Sequence, residues 1–205
     1  MHSWHSWRTT DVDSRSLRIL PQIFYGRSAL VVARELLGKR LVREYQGMLL
    51  SGMVIETEAY CGQEDSANHA FKGRTARNAV MFGPPGHAYI YLIYGFHHLL
   101  NVVTNEPDVP EAVLIRSLFP LEGVDTMRQL RGAAHGNFTN GPGKHCAALA
   151  IDKSFNGWDL TQGQTLWIEN YRTVTARHIR SAPRIGIGYA LPEHRDALWR
   201  FSFDP

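Results

Sequence analysis

Apolar residues return at helical spacing from Ser28 onward. Ala29, Val32, Ala33, Leu36 and Leu37 fall on one face, and Gly38 supplies a natural stop. Period two then takes over. A short strand over residues 39–45 and a Gln46-Gly47 turn lead into a second strand over about residues 49–60. In that strand Val54, Glu56, Glu58 and Tyr60 alternate with Met53, Ile55, Thr57 and Ala59, so both carboxylates are predicted to project together. Burying an unpaired carboxylate is costly, so the segment VIETEAY is either half-exposed or built for chemistry.

Residues 61–87 carry Gly, Pro, Asn and charge without a period, and connections of that length are usually functional or disordered. The run HAYIYLIYGFHHLLNVVTN reads as a β-hairpin with arms at 89–93 and 99–104 and Tyr94-Gly95 at the bend. A strand at 112–118, a helix at 122–130 ending near Gly132, a flexible connection at 131–143 and a helix at 144–150 follow. Further strands are predicted near 165–169, 174–178 and 184–189. Neither an internal repeat nor βαβ alternation is present. The expected fold is α+β: a single domain with a curved, mostly antiparallel sheet flanked by helices and a protruding hairpin. Residues 1–18 hold Trp4 and Trp7 but no period and are expected to form a flexible tail, leaving 19–205 as the domain.

With 44% hydrophobic and 20% charged residues the composition is that of a globular protein. No run approaches the roughly 18 apolar residues of a membrane span. The N-terminus lacks the apolar core of an export signal. Cys61 and Cys146 are too few for a disulfide framework or a four-cysteine zinc site, which fits a reducing cytosol. The net charge is +3 and the pI near 9.0. Arg172, Arg177, Arg180, Arg184, Arg195 and Arg200 crowd the C-terminal stretch, and Lys72, Arg74 and Arg77 form a second group. Such clusters suit either a polyanion or a solvated face.

Several residues are candidates for chemistry. Glu58, a strand carboxylate beside Tyr60 and near a long loop, suits a general base, and a salt bridge to an arginine is equally compatible. For Glu56 the salt bridge is the better reading. Glu56, Glu58, Asp65 and His69 can be drawn as a metal site, but their spacing matches no compact ligand motif, and a histidine oriented by a carboxylate is preferred. Arg116 lies among aliphatic strand neighbours and needs a partner, either a carboxylate such as Glu58 or a phosphate. Tyr91 and Tyr94 face opposite sides of an extended arm, so they cannot serve one core. A tyrosine beside glycine at a hairpin tip suits base stacking or intercalation. GPGKHC lacks the earlier glycine and the hydroxyl residue of a nucleotide-binding loop and reads as an ordinary helix entry.

ETEAY (56–60), Glu64-Asp65 with His69, GRTARN (73–78), MFGPPGHAYIYLIYG (81–95), LNVVT (100–104), VLIR (113–116), PLEG with TMRQLRG (120–132), GPGKHCAALAIDKSFNGWDL (141–160) and RIGIGYA (184–190) occur in order. Together these segments resemble the alkyladenine (3-methyladenine) DNA glycosylases, monofunctional enzymes that excise alkylated and deaminated purines. The resemblance implies that Glu58 activates a water and that Arg116 lies beside that water and the target's phosphate. It implies that Tyr60, His69 and Tyr91 hold the extruded base, that Asn101 disfavours guanine's exocyclic amine, and that Tyr94 fills the gap in the duplex. It further implies no cofactor, no metal, no lyase activity, damaged double-stranded DNA as partner, and a monomer working on the chromosome in the cytoplasm or in a nucleus. The hairpin turn FHH (96–98) and the tail depart from the family pattern, and His87 marks a place where base preference can vary. A metal-dependent hydrolase and a non-catalytic damaged-DNA binder are the rival readings.

Overall fold

The computed structural model describes residues 18–132 and 136–205. The expected tail lies outside them except for Arg18, whose carbonyl accepts the Asn170 N–H at 2.7 Å. Part of the 131–143 connection lies outside them as well.

The chain opens with one helical turn, α1 (Gln22–Tyr25), and the amphipathic helix α2 (Ala29–Leu36), which buries Ala29, Val32, Ala33 and Leu36. Gly38 turns the chain into the sheet at a φ of +81°. A side chain there would strike the Arg172 carbonyl at 2.6 Å. Strands β1 (Arg40–Tyr45) and β2 (Met48–Tyr60) form a hairpin whose Gln46-Gly47 turn has both φ angles positive, as a tight two-residue hairpin requires. A second hairpin, β3 (Ala88–Ile93) and β4 (His97–Thr104), and the long strand β5 (Glu111–Glu122) complete the body of the sheet. Helices α3 (Val124–Arg131) and α4 (Pro142–Ala148), strand β6 (Leu166–Glu169), strand β7 (Arg180–Ala182), the turn α5 (Pro192–Arg195) and strand β8 (Arg200–Ser202) follow.

Among the described residues all eight strands belong to one sheet with every pairing antiparallel, in the order β3-β4-β5-β2-β1-β6. Strand β2 is long enough to take two neighbours in succession on one edge: β1 along Met48–Met53, then β8 along Glu56–Glu58, with β7 outside β8. Helices α2 and α4 pack on the sheet, and Val32, Leu36, Val54, Ile115, Leu149 and Phe201 belong to one buried core. The α+β class, the hairpin and its arms, and β6 agree with the sequence reading.

Two expected strands are absent. Residues 174–178 form a coil and a single turn, Ala176–His178. Residues 184–189 form turns, because Gly186 sits at a φ of +79°, which a sheet ladder cannot accommodate. In their place β7 and β8, three residues each, were not legible as strands. Strand β5 runs on through Glu122, so α3 starts at Val124 rather than at Glu122. Helix α4 starts at Pro142, whose fixed φ suits a first helical position.

Helix α4 carries His145, fully buried, whose Nε2–H donates to the Ile115 carbonyl at 2.8 Å. Burial pushes its pKa down to about 4. An unfolded chain takes up this proton near pH 6.5 and the folded chain only near pH 4, so stability is lost as pH falls through that window. Urea unfolding at about pH 7.5 and about pH 5 is expected to differ by about 2 kcal/mol from this group. In His145→Gln that share of the difference should vanish. An equal pH dependence in both proteins would assign the loss elsewhere.

Candidate active site

The opening question posed by VIETEAY is resolved by an irregularity in β2. Against β5 the register slips between Val54 and Glu56 and again between Glu56 and Thr57, a β-bulge. The strict alternation expected for 53–60 therefore fails: Val54 and Ala59, assigned to opposite faces, both lie in the main core. The two carboxylates nevertheless meet, because both reach Arg116 on β5. Glu58 lies 3.1 Å from its Nη1 and Glu56 lies 3.7 Å from its Nε.

Glu58 is closed to solvent and both its oxygens are engaged. One accepts the Ile185 N–H at 2.8 Å and faces Arg116; the other accepts the Tyr60 hydroxyl at 2.9 Å. Burial raises its pKa above the ordinary carboxylate range, and Arg116, the Ile185 N–H and the Tyr60 hydroxyl oppose that rise. Tyr60 is itself shifted well upward, so it remains a donor. Glu56 is different. It binds Arg200 of β8 at 2.7 Å, the structural ion pair expected for it.

Beside Tyr60, which joins it to this carboxylate, a narrow cleft opens between Tyr60, Asn68, His69, Tyr89, Tyr91 and Asn101, with Met81 and Tyr189 at its walls. The Tyr91 and His69 rings meet nearly edge to face with centroids 4.5 Å apart. His69 Nδ1 and the Tyr89 hydroxyl are 2.9 Å apart. Burial and the Arg77 charge lower the His69 pKa, which favours a neutral ring. Asn101, buried on β4, donates from Nδ2 to the Tyr89 carbonyl at 3.2 Å, which fixes its amide in the cleft wall.

Six of the seven expected residues are thus brought together: Glu58, Tyr60, His69, Tyr91, Asn101 and Arg116. Tyr94 stands apart, 83% exposed at the tip of the β3–β4 hairpin with a φ of +52°. Leu92 and Phe96 beside it are exposed too. The drawn metal set is taken apart by the structure. His69 is oriented by the Tyr89 hydroxyl rather than by a carboxylate, and buried Asp65 is paired with Arg184. Among the described residues no group of three His, Cys, Asp or Glu side chains is placed to hold a metal ion.

The basic clusters separate as well. Four of the six C-terminal arginines bind carboxylates: Arg180 pairs with Asp204, Arg184 with Asp65, Arg195 with Asp196 and Arg200 with Glu56. Much of that stretch is therefore internal wiring. Lys72, Arg74 and Arg77 are exposed, and Lys72 lines a groove that shares Ala67, Asn68, His69 and Tyr189 with the cleft. Sequence reasoning missed Tyr189, Tyr89, Asn68 and Ile185. Tyr89 shares the parity of Tyr91, a signal that was available; nothing local marked the others.

Residues 23–204 match the methylpurine-DNA glycosylase family. A protein of Methanocella arvoryzae, named as a candidate 3-methyladenine DNA glycosylase, is 48% identical over 187 residues, 89% of this chain and 91% of its own length. One of Carboxydothermus hydrogenoformans with the same name is 50% identical over 184 residues, 89% of this chain and 94% of its own. A third, from Clostridium perfringens, is 45% identical over 189 residues, covering 87% of this chain and 92% of its own length. These likenesses define a DNA glycosylase, a hydrolase. The chain belongs to the methylpurine-DNA glycosylase family.

Proposed function

We propose that this protein extrudes alkylated or deaminated purines from duplex DNA and hydrolyses their N-glycosidic bond, with Glu58 as general base and no strand cleavage. The observation that carries the reading is the juxtaposition of Glu58 and the ring-lined cleft, joined through the Tyr60 hydroxyl. A flat base entering between Tyr60 and the Tyr91 and His69 rings meets π faces, and a cationic alkylated purine gains from them further.

The bond changes balance without any added reagent. As the C1′–N bond breaks, its electron pair leaves with the purine and positive charge develops on the sugar. Water attacks C1′ and gives its proton to the Glu58 carboxylate, whose negative charge also steadies the sugar. The proton then passes to the departing purine where that leaves as an anion, or to solvent where a cationic alkylated purine leaves neutral. Arg116 holds that carboxylate through Nη1 and faces Glu56 through Nε, so one guanidinium carries positive charge beside the reacting carboxylate. Tyr94 occupies the space the base vacates, offsetting a cost of roughly a few kcal/mol for unstacking. Lys72, in the adjoining groove, and Arg77, whose charge reaches His69, engage the phosphates, while Arg74 pairs with Asp108. No lysine lines the cleft among the described residues, so an imine with the sugar has no donor there.

The test uses duplexes carrying one hypoxanthine, ethenoadenine or 7-methylguanine, incubated with the protein and EDTA and then treated with alkali. Alkali-dependent cleavage at the lesion is expected. Cleavage before alkali, or none for any lesion, would overturn the reading. Asn101→Ser should enlarge the cleft where guanine's amine would lie. Release of 7-methylguanine relative to hypoxanthine is then expected to rise on the order of tenfold. An unchanged ratio would remove Asn101 from the choice of base.

A further inference from the structure

Arg184 and Asp65 form an ion pair whose side chains are both inaccessible to solvent. Such pairs seldom stabilise a fold more than apolar residues of the same size would, so this one needs another reason. Its surroundings supply one. The Arg184 fork binds Asp65 through both terminal nitrogens, one contact at 2.8 Å, and also donates to the Ala59 carbonyl at 3.0 Å and the His194 carbonyl at 3.1 Å. The guanidinium is flanked by two rings, with the Tyr60 centroid 4.7 Å away and that of Trp199 4.9 Å away. Asp65 in turn accepts the N–H groups of Cys61 and Ala67, at 3.1 and 3.0 Å. One guanidinium thus touches the residue before Tyr60, the Tyr60 ring and, by chain connection, Ile185. Tyr60 and Ile185 are the two residues that donate to Glu58.

We propose that Arg184 is a positioning residue for the excision reaction: pinned by Asp65, it holds the Tyr60 ring and the Ile185 backbone where both donate to the Glu58 carboxylate. This rests on the assignment of Glu58 as base. An apolar residue of similar volume would fill the space, but it would reach neither the two carbonyls nor the carboxylate. The groups facing Glu58 are Tyr60 on its own strand, Arg116 of β5, Tyr91 of β3, and Arg184 and Tyr189 of the 183–191 segment; Arg200 of β8 engages Glu56. Without Arg184, Glu58 loses a held N–H, a held hydroxyl and a nearby positive charge. Protonation of the base then comes at higher pH.

Excision under single turnover is measured against pH, with a thermal melt of each full-length protein. Arg184→Lys keeps the charge and loses the fork. Asp65→Asn combined with Arg184→Met buries no charge and so protects the fold. The lysine variant is expected to fall roughly tenfold in rate, and the double variant roughly a hundredfold while still folded. The acid limb of the double variant should move up by about one pH unit. A purely structural role would lower the rate in proportion to the folded fraction and leave the limb in place. A folded double variant with the wild-type rate and limb would overturn the proposal. Should the double variant not fold, Arg184→Lys with an unchanged rate and limb overturns it equally. If the wild type itself excises no lesion, the glycosylase chemistry fails instead, and that outcome is read from a different sample.

Discussion

Glu58→Gln is expected to lower single-turnover excision by roughly 10³-fold while binding to a lesion-bearing duplex stays within a few-fold of wild type. The amide keeps the volume, its oxygen can still accept the Ile185 N–H and its NH2 can donate to the Tyr60 hydroxyl oxygen, so the cleft keeps its shape. In the proposed reaction, what is lost is the group that takes the proton from water and opposes the charge on the sugar. The same assignment sets the pH dependence. The working form is the carboxylate, and burial raises its pKa, so the rate should fall on acidification at a pH above the ordinary glutamate value of about 4.3. A rate that stays flat down to that value would mean that no buried carboxylate limits the reaction. Retained excision by Glu58→Gln would remove Glu58 from the chemistry altogether, while loss of binding together with excision would mean that the carboxylate serves recognition.

Tyr94→Gly is expected to separate stability from function. Tyr94 holds a φ of +52° at a hairpin tip with its ring almost wholly in solvent, so it contributes little packing and carries strain. A left-handed conformation costs an ordinary residue roughly 1–2 kcal/mol, which glycine escapes, less the extra entropy glycine loses on folding. The melting temperature should therefore be unchanged or higher. Excision of a lesion in a fully paired duplex should drop on the order of a hundredfold, because nothing then fills the stack when the base leaves. The deficit should shrink for a mispaired lesion, whose extrusion costs less. Equal losses on both substrates would show that Tyr94 does not act through the vacated stack.

The sequence made legible those parts of the fold that rest on local signals. Helix α2 was readable because its apolar residues recur at the helical period and end at Gly38. The β1–β2 turn was readable from Gln46-Gly47, and the β3–β4 hairpin from Tyr89 to Thr104 was readable from aromatic and β-branched arms around Tyr94-Gly95. Glu58 stood out because a carboxylate broke an apolar pattern, whereas the roles expected of Tyr60 and Tyr91 came from the family resemblance. The C-terminal part of the site was illegible for a physical reason. Strand β8 is three residues long and exists because Glu56, Thr57 and Glu58 of β2 offer it an edge more than 140 residues earlier. Ile185 and Tyr189 reach the site through turns, which carry no period. Arg184 and Arg200 raise the local positive charge as much when they bind Asp65 and Glu56 as they would if they faced a phosphate, so composition cannot tell the two apart. The β2 bulge is equally silent, since Val54 to Tyr60 reads as an uninterrupted alternation until its partner strand is known.

The central claim is that a damaged purine leaves the duplex and enters the cleft that Tyr60 joins to Glu58. The most direct measurement is a crystal structure of Glu58→Gln, which should bind without turnover, on a duplex carrying one ethenoadenine. The expected result places the lesion between Tyr60 and the rings of Tyr91 and His69, with its C1′ toward residue 58 and the Tyr94 ring in the stack. A lesion still stacked in the helix, with the cleft turned away from the DNA, would contradict the account.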